Sequence, residues 1–312
     1  MSRLILNDRA IDRALAPDTP LLDALRDTWG LTAAKPGCGT GDCGTCLVLV
    51  GARQSDDGDV HYLTMNSCLL TLAQVDGCHV ITAEGLTADG PVQRALVASG
   101  AIQCGYCTPG IAIALTGGWL AMESPEASVA GNLCRCTGYA GIRRACDALA
   151  SSLPSAPASG VRTLDNAAQA GLLAPGVAEA GRLLSALPPE ALPRSPGTGA
   201  LGGASEWLAQ HPHAPHQPGM PVLLRRVPGL TGITVDNGVM IIGAAATVAE
   251  LGAHALVRQH LPALPGFLER FASPSVRHST TVGGNLVNAS PVADLAVLLL
   301  AMNAELVLDS DS

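Results

Sequence analysis

Residues 38–46 of this 312-residue chain read Cys-Gly-Thr-Gly-Asp-Cys-Gly-Thr-Cys, and a fourth cysteine, Cys68, follows further along. Four residues and then two between successive cysteines, with a distant fourth, is the spacing of plant-type 2Fe-2S sites. A loop that wraps a compact anionic cluster also needs positive φ angles and close backbone approach, which glycine permits. The glycines expected to allow this wrapping are Gly37, Gly39, Gly41 and Gly44. The predicted ligands of a 2Fe-2S cluster are Cys38, Cys43, Cys46 and Cys68.

Structural zinc is the alternative for this group, because it also takes four thiolates. Zinc sites are usually built from two paired knuckles. This chain instead has one long glycine-rich loop and a distant fourth cysteine. The spacing therefore favours iron and sulfide over zinc.

A second group of four cysteines lies in the pairs Cys104-Gly-Tyr-Cys107 and Cys134-Arg-Cys136. Pro109 follows the first pair and Gly138 the second, so both pairs fall where predicted helices begin or end. Free N–H groups and the helix dipole favour a negatively charged cluster at such positions. We predict a second 2Fe-2S cluster here, because two one-electron centres in one chain form a path for electrons. Zinc is again the alternative if this segment is considered alone.

The composition excludes several classes of function. Charged residues make up 14% of the chain, and 18 Lys and Arg stand against 26 Asp and Glu, for a formal net charge of -8. No basic stripe is present to neutralise phosphates, so nucleic acid is not an expected partner. The longest apolar runs, such as residues 295–302, are shorter than the ~20 residues that a membrane span needs.

The N-terminal sequence bears on the compartment. Residues 1–8 lack the apolar stretch of a secretory signal, so we expect the reducing cytoplasm. In such a compartment the ten cysteines serve as metal ligands or buried thiols more readily than as disulfides. Cys78 and Cys146 fit neither group and are expected to be buried thiols. The tract that contains His211, His213 and His216 is expected to be a solvated, proline-rich loop.

Hydrophobic patterns divide the chain into three parts. Residues 1–84 alternate short β-rich runs with one helix, which opens at Asp18-Thr19-Pro20 and ends at Gly30. Residues 85–150 carry helical spacing, and most of their helices begin with proline. The predicted strands are 3–7, 10–15, 46–50 and 79–83, and the predicted helices are 91–99, 109–122, 125–130 and 138–149.

Residues 151–180 are assigned to a linker, from the small, polar and Pro-interrupted composition of residues 151–160. Residues 181–312 form the third part, which is mixed in character. Thr247-Val-Ala-Glu250 is a capping box that starts a helix reaching about His260. The other predictions are strands at 239–244 and 305–308, helices at 264–272 and 294–302, and a glycine-rich turn at 282–285.

The first half of the chain resembles the molybdenum hydroxylases, the family of xanthine dehydrogenase and aldehyde oxidoreductase. Residues 35–46, 66–68, 103–110 and 131–139 carry the resemblance and read KPGCGTGDCGTC, NSC, QCGYCTPG and GNLCRCTGY. The resemblance implies a multidomain α+β protein. Its implied parts are a β-grasp 2Fe-2S ferredoxin-like domain at 1–84, a four-helix-bundle 2Fe-2S domain at 85–150 and an α+β FAD-binding domain at 181–312, incomplete at its C-terminus.

The same resemblance implies a function in electron transfer. Electrons from a heterocycle or aldehyde hydroxylated at molybdenum would pass to the second cysteine group, then to the first, then to FAD, and finally to NAD or another acceptor. The molybdopterin cofactor would be held by a different, larger subunit, so a hetero-oligomer is implied, and Gln103 would contact its pterin. No side chain of this chain would act on the organic substrate, because the chemistry belongs to the cofactors.

Residues 242–251 and 279–294 resemble the strand-to-helix passage and the flavin loop of the FAD-binding domain in this family. Gly283 and Gly284 would let backbone N–H groups reach a pyrophosphate. Polar partners for phosphate and ribitol would come from Asn285, Ser290 and Asp294. The full set of implied cofactor-binding residues is Gln103, Thr281, Val282, Gly283, Gly284, Asn285, Ser290 and Asp294.

Two departures from the family pattern keep alternatives open. Leu201-Gly-Gly-Ala-Ser-Glu-Trp207 stands where the family usually has a Gly-Gly-Thr-Asp-Leu type of diphosphate loop, and the sequence ends at Ser312, soon after the flavin loop. One alternative is a two-cluster electron carrier that docks a partner and binds no FAD. The other is the small subunit of an aldehyde or N-heterocycle oxidoreductase.

Overall fold

The structure is a computed structural model, and it describes most of the chain. The described residues are 2–13, 15–53, 60–155, 157, 160–186, 200–203, 205–210, 222–227, 229–291 and 293–308. The histidine tract at His211, His213 and His216 lies outside them, as does Ala204 of the loop at 201–207.

A five-stranded mixed sheet organises the N-terminal part. Its strands lie in the order β2-β1-β5-β3-β4, with β1 parallel to β5 and the other neighbours antiparallel. Successive side chains of β3 pack on opposite sides of the sheet, as the two-residue period of a strand requires. Val48 and Val50 pack on the first helix, whereas Leu47 and Leu49 pack on the helices that follow. The strands are β1 Ser2–Leu6, β2 Arg9–Arg13, β3 Leu47–Arg53, β4 Val60–Asn66 and β5 His79–Ile81.

The helix predicted after Pro20 is present, but only its first turn has the α form. Helix α1 (Leu21–Asp23) runs directly into a π-helical turn at Ala24–Thr28. Gly30 follows with a φ of 69°, which glycine adopts readily, and ends the helix where the sequence predicted. The wider π turn still buries Leu25 against the sheet.

The four predicted helices of residues 85–150 are all present. Helix α3 lies between the other helices and the sheet, and its residues 110–120 are all buried. Gly117 allows this close packing, because a Cβ there would lie 2.6 Å from the Leu49 side chain. The helices are α2 Pro91–Ala98, α3 Thr108–Leu120, α4 Pro125–Ser128 and α5 Ala140–Ser152.

The segment expected to be a linker is folded over much of its length. It contains α6 (Leu164–Gln169) and α7 (Val177–Gly181). A capping box between Thr163 and Asn166 starts α6, and Leu172 is buried with the helical core of residues 85–150. Residues 161–181 therefore extend that core, which differs from a linker over 151–180.

The third part combines short strands with short helices around its own core. The capping box of Thr247 and Glu250 is present as predicted, but α9 ends at Ala253 and α10 starts after His254. The strand predicted at 305–308 is wrong, because these residues are exposed and pair with no strand among the described residues. The elements are β6 Ala200–Leu201, α8 Ser205–Gln210, β7 Val222–Leu223, β8 Ile233–Asp236, β9 Val239–Ile242, α9 Val248–Ala253, α10 Ala255–His260, α11 Leu264–Leu268, α12 Pro274–Ser279, α13 Val282–Val287 and α14 Asp294–Ala301.

Among the described residues, none of the helices combines the length and the apolar character that crossing a membrane would require.

His79 gives the fold a dependence on pH. Its Nε2 lies 2.8 Å from the Asn7 carbonyl oxygen, which only accepts, so Nε2 carries the proton and Nδ1 accepts from the Tyr62 hydroxyl at 2.8 Å. Burial lowers the pKa of His79 to about 4, although the bond to Asn7 opposes this. An unfolded chain takes up this proton near pH 6.5. The folded chain is therefore most stable above that pH and loses stability as the pH falls from 6.5 to 4.

We expect acidification through this window to lower the free energy of unfolding by about 3 kcal/mol on account of His79. Chemical denaturation at a series of pH values measures the slope. The control is His79→Gln, which removes the titrating group. The assignment is contradicted if the unsubstituted chain and the variant lose stability equally between pH 6.5 and 4.

Candidate functional site

The first cysteine group lies on the loop between the π turn and β3, with its fourth member after β4. Cys46 Sγ and Cys68 Sγ are 3.3 Å apart. The Cys38 amide donates to Cys43 Sγ at 3.4 Å, and the Thr40 amide donates to Cys38 Sγ at 3.4 Å. The loop thus directs backbone N–H groups at cysteine sulfurs, which is the arrangement that the glycine pattern predicted.

The loop glycines have the expected left-handed backbone at three of four positions. The φ angles are 74° at Gly39, 83° at Gly41 and 68° at Gly44. Gly37 does not share this conformation. Its role is steric, because a Cβ there would lie 2.6 Å from Cys43 Sγ.

The thiols of this group differ in their pKa values. Burial raises the pKa of Cys38, but hydrogen bonds from Thr40 and Cys43 outweigh it and lower the pKa to about 7. The hydrogen bond between the two sulfurs lowers the pKa of Cys46 and raises the pKa of Cys68. A metal ion bound by both sulfurs would displace the thiol protons.

The second cysteine group brings together two loops of the helical part. Cys104 Sγ and Cys136 Sγ are 3.6 Å apart and exposed. Cys107 and Cys134 are buried. Burial raises the pKa of Cys107 to about 12. The Cys134 amide donates to the Tyr139 hydroxyl at 3.1 Å, which fixes the second loop at the start of α5.

Both groups fit a dinuclear centre. A 2Fe-2S cluster takes two cysteine ligands on each of its two irons. In each group one pair of sulfurs is already within 3.3 to 3.6 Å. Within the described part of the chain, no three or more His, Cys, Asp and Glu side chains are arranged around a single metal ion. Cys78 and Cys146 are buried, as predicted, and lie outside both groups.

The two cysteine loops are in direct contact. The Leu133 amide, beside Cys134, donates to the Cys43 carbonyl oxygen at 3.0 Å. The next carbonyl, of Gly44, accepts from Asn132 Nδ2 at 3.2 Å. Helix α3 approaches the same carbonyl, because a Cβ at Gly110 would overlap it. One hydrogen bond therefore connects the backbone of a cysteine in one group to the residue beside a cysteine in the other.

The candidate flavin loop is the start of a helix, so the glycine-rich turn predicted at residues 282–285 is wrong. Thr281 caps α13, and its Oγ1 accepts from the Gly284 amide at 3.1 Å. The amides of Val282 and Gly283 donate to carbonyl oxygens of Ala246 and Ala244. These three N–H groups are therefore bonded within the chain, in contrast to the expectation that Gly283 and Gly284 present free amides.

Other groups of this region remain suited to a ligand. Asn285 Oδ1 is buried and has no hydrogen-bond partner among the residues that the structure describes. Gly202, of the stretch 201–207, lies beside Thr281, because a Cβ at Gly202 would overlap Thr281 Oγ1. Ser290 and Asp294 follow on the connection to α14 and its first turn. The structure thus brings Gly202, from the stretch that departs from the family's diphosphate loop, next to the start of α13.

The flavin region, meaning residues 201–203 and 274–291, packs against the domain that carries the first cysteine group. Gln74 Nε2 donates to the Gly203 carbonyl oxygen at 3.1 Å. Helix α12, which leads into α13, packs on β4, where the His278 ring donates from Nδ1 to the Thr64 carbonyl oxygen at 2.9 Å. In the second cysteine group, Gln103 is exposed beside Cys104.

Three family models match successive parts of the chain. A 2Fe-2S iron-sulfur cluster binding domain matches residues 6–73, and a 2Fe-2S binding domain matches residues 82–147. Residues 172–312 match an FAD binding domain in molybdopterin dehydrogenase. These matches confirm the prediction of two 2Fe-2S domains followed by an FAD-binding domain.

Curated relatives agree with these matches. The chain is 40% identical over 151 residues to one probable xanthine dehydrogenase subunit of Bacillus subtilis (strain 168), covering 80% of that protein and 46% of this chain. It is 38% identical over 152 residues to the nicotinate dehydrogenase small FeS subunit of Eubacterium barkeri, covering 89% of it and 46% of this chain. This chain belongs to the molybdenum hydroxylase family.

One larger member of the molybdenum hydroxylase family matches more of the chain. Xanthine dehydrogenase 2 of Arabidopsis thaliana is 30% identical over 366 residues, an alignment that takes in 91% of this chain and 27% of that protein. The chain spans 10% of the length of the xanthine dehydrogenase of Blastobotrys adeninivorans. The match across 91% of the chain extends the family assignment beyond the two iron-sulfur domains into the FAD-binding domain.

Proposed function

We propose that this chain is the electron-transfer subunit of a xanthine dehydrogenase-like molybdenum hydroxylase. It receives electrons from a molybdenum cofactor on a partner chain and passes them to FAD and then to NAD or another acceptor. Bound 2Fe-2S clusters supply one-electron steps, and FAD connects these to an acceptor of electron pairs. The observation that carries the proposal is the contact between the two cysteine loops, through Leu133 and Cys43, in a chain whose flavin region contacts the domain of the first loop through Gln74.

The two groups of proposed ligands have different roles in electron transfer. The second group is proposed to receive electrons, because two of its cysteines, Cys104 and Cys136, are exposed, against Cys38 alone in the first group. The first group is proposed to pass these electrons on to FAD. The proposed ligands are Cys38, Cys43, Cys46 and Cys68 in the first group, and Cys104, Cys107, Cys134 and Cys136 in the second.

For the flavin, the proposed contacts are the buried Asn285 amide and the backbone around Thr281, Val282, Gly283 and Gly284, with Ser290 and Asp294. Asn285 Oδ1 supports this assignment, because a buried acceptor without a partner is costly unless a ligand satisfies it. Analysis of iron, sulfide and flavin in the purified chain tests the proposal. Two irons per site and bound flavin are expected, and zinc in place of iron would contradict it.

A second candidate is a two-cluster electron carrier that binds no FAD. The occupied amides of Val282, Gly283 and Gly284 favour it, because a pyrophosphate would find them already bonded. Visible absorbance separates the candidates. A flavin band that copurifies with the chain supports the first, and its absence after incubation with FAD supports the carrier.

The partner chain is proposed to dock around Cys104 and Cys136. Exposed apolar and aromatic side chains surround this position, which is unusual for a surface that faces only water. These side chains are Ile102, Tyr106, Leu133 and Tyr139. Gln103 lies within the same surface and is proposed to meet the pterin of the partner's cofactor.

Leu133→Gln tests this docking surface. The Leu133 side chain is 56% exposed, so the change leaves the fold and its iron intact, and we expect binding of a molybdenum-containing partner to weaken roughly tenfold. The control is Val239→Gln, since Val239 is 64% exposed on β9 of the third part. Equal weakening by both substitutions would contradict the assigned surface.

A further inference from the structure

Asn66 occupies a fully buried position between the first cysteine group and the FAD-binding domain. It is the last residue of β4, paired with Leu47 across the sheet, and it precedes Cys68 by two residues. Its side chain has no exposed surface. A buried amide needs partners for both its ends, because each unpaired polar group costs about 1–3 kcal/mol.

The two ends of the Asn66 amide contact different domains. The Cys46 thiol donates to Oδ1 at 3.7 Å, and Nδ2 donates to Ser275 Oγ at 2.8 Å. Ser275 is buried on α12, and its hydroxyl lies 3.2 Å from the Ser273 hydroxyl. A single side chain therefore joins a cysteine of the first group to the helix that leads into the flavin region.

With iron bound, Cys46 could no longer donate a hydrogen bond to Asn66, and the side chain of Asn66 would have to become the donor. A thiol can donate, but a thiolate bound to iron carries no proton and only accepts. Oδ1 facing that thiolate would place two acceptors together in a buried site. The amide satisfies the thiolate only with Nδ2 towards Cys46 Sγ and Oδ1 towards Ser275.

Ser275 permits this reversal because a hydroxyl can donate as well as accept. With the amide turned, the Ser275 hydroxyl donates to Oδ1, and the Ser273 hydroxyl is placed to donate to Ser275. The hydrogen bonds of this series, from Ser273 through Ser275 and Asn66, then all point towards the Cys46 sulfur. Hydrogen bonds aligned in this way polarise and strengthen one another in a buried site.

We propose that Asn66 is a positioning residue for the first cluster: it donates N–H to the Cys46 thiolate, is held in that orientation by Ser275, and so raises the reduction potential of this cluster. The proposal rests on the cysteine ligands assigned under Proposed function. Reduction adds negative charge to the cluster, and a donor to its sulfur stabilises the reduced form more. Contact with α12 thereby adjusts the reduction potential of the first cluster.

Midpoint potentials of both clusters, followed by electron paramagnetic resonance in the full chain, test the proposal. Asn66→Ala should reduce the equilibrium constant for reduction of the first cluster about tenfold, a fall of about 59 mV for one electron. The second cluster should be unchanged. Ser275→Ala should lower the first midpoint by less, and Ser275→Thr, which keeps the hydroxyl, should restore it.

Ser67→Ala is the matched control. Ser67 is buried beside the same cysteine, but its hydroxyl donates to the Cys46 carbonyl oxygen at 2.7 Å and not to the sulfur. It should lower stability without moving the first midpoint. An equal shift in Ser67→Ala, or none in Asn66→Ala with the cluster retained, overturns the proposal.

Loss of the first cluster, or of both 2Fe-2S signals, would also be informative. If Asn66→Ala loses the first cluster, the Ser275 pair decides, and identical midpoints in Ser275→Ala and Ser275→Thr overturn the proposal. A chain without substitutions that shows no 2Fe-2S signal contradicts the proposed function itself. Normal signals with unchanged midpoints overturn only the role of Asn66.

Discussion

Cys107→Ser is expected to abolish one of two 2Fe-2S signals in electron paramagnetic resonance and to halve the iron content. A serine hydroxyl does not ionise near neutral pH and is a poor ligand for iron, and Cys107 is buried, so water has little access as a replacement ligand. Cys43→Ser should remove the other signal. Each substitution should also lower the stability of its own domain, because cluster binding contributes folding energy.

Cys146→Ser is the control for this experiment. Cys146 is buried on α5 but belongs to neither cysteine group, so both signals and the full iron content should survive. Loss of both signals from Cys107→Ser or from Cys43→Ser alone would count against two independent clusters. Zinc in the unsubstituted chain would count against clusters altogether.

Gly110→Ala is expected to have the second large effect, a fall of roughly 6–12 °C in the melting temperature. A Cβ at Gly110 would overlap the Gly44 carbonyl oxygen and lie 3.1 Å from Thr45 Cα, and neither backbone can move without displacing the first cysteine loop. Overpacking of this kind costs about 3 kcal/mol, more than the helical preference of alanine returns. Thermal unfolding followed by circular dichroism measures the change.

Gly266→Ala is the matched control, because Gly266 lies within α11 and a Cβ there would meet no atom within 4 Å. This substitution should raise the melting temperature slightly, since alanine favours helix by about 1 kcal/mol. A melting temperature in Gly110→Ala that equals that of the unsubstituted chain would show that α3 and the cysteine loop do not pack as described.

The sequence was most informative where chemistry constrains neighbouring residues. Cysteine ligands on one loop need a fixed spacing, and Pro91 and Pro125 mark helix starts that the structure confirms. The strand Val60–Asn66 was missed, because its side chains are only half buried and its pairing depends on β3. The sequence of residues 60–66 alone does not indicate that this segment pairs with β3.

The start of α13 shows why a short motif misled. Gly283 and Gly284 suggested a turn, but Thr281 supplies the N-cap of a helix, and the backbone at Ala244 and Ala246 accepts the amides that follow. The threonine was a usable signal, since N-caps favour it. The contacts of Asn66 with Ser275 and of Leu133 with Cys43 join distant parts of the sequence, so only the fold reveals them.

The uneven burial of the second cysteine group bears on how this protein matures. Cys104 and Cys136 open to the outside, whereas Cys107 and Cys134 are enclosed. A carrier that delivers iron and sulfide must reach this opening while it is uncovered. The docking surface proposed for the molybdenum-containing partner covers the same opening, so on that proposal the second cluster is inserted before the partner binds.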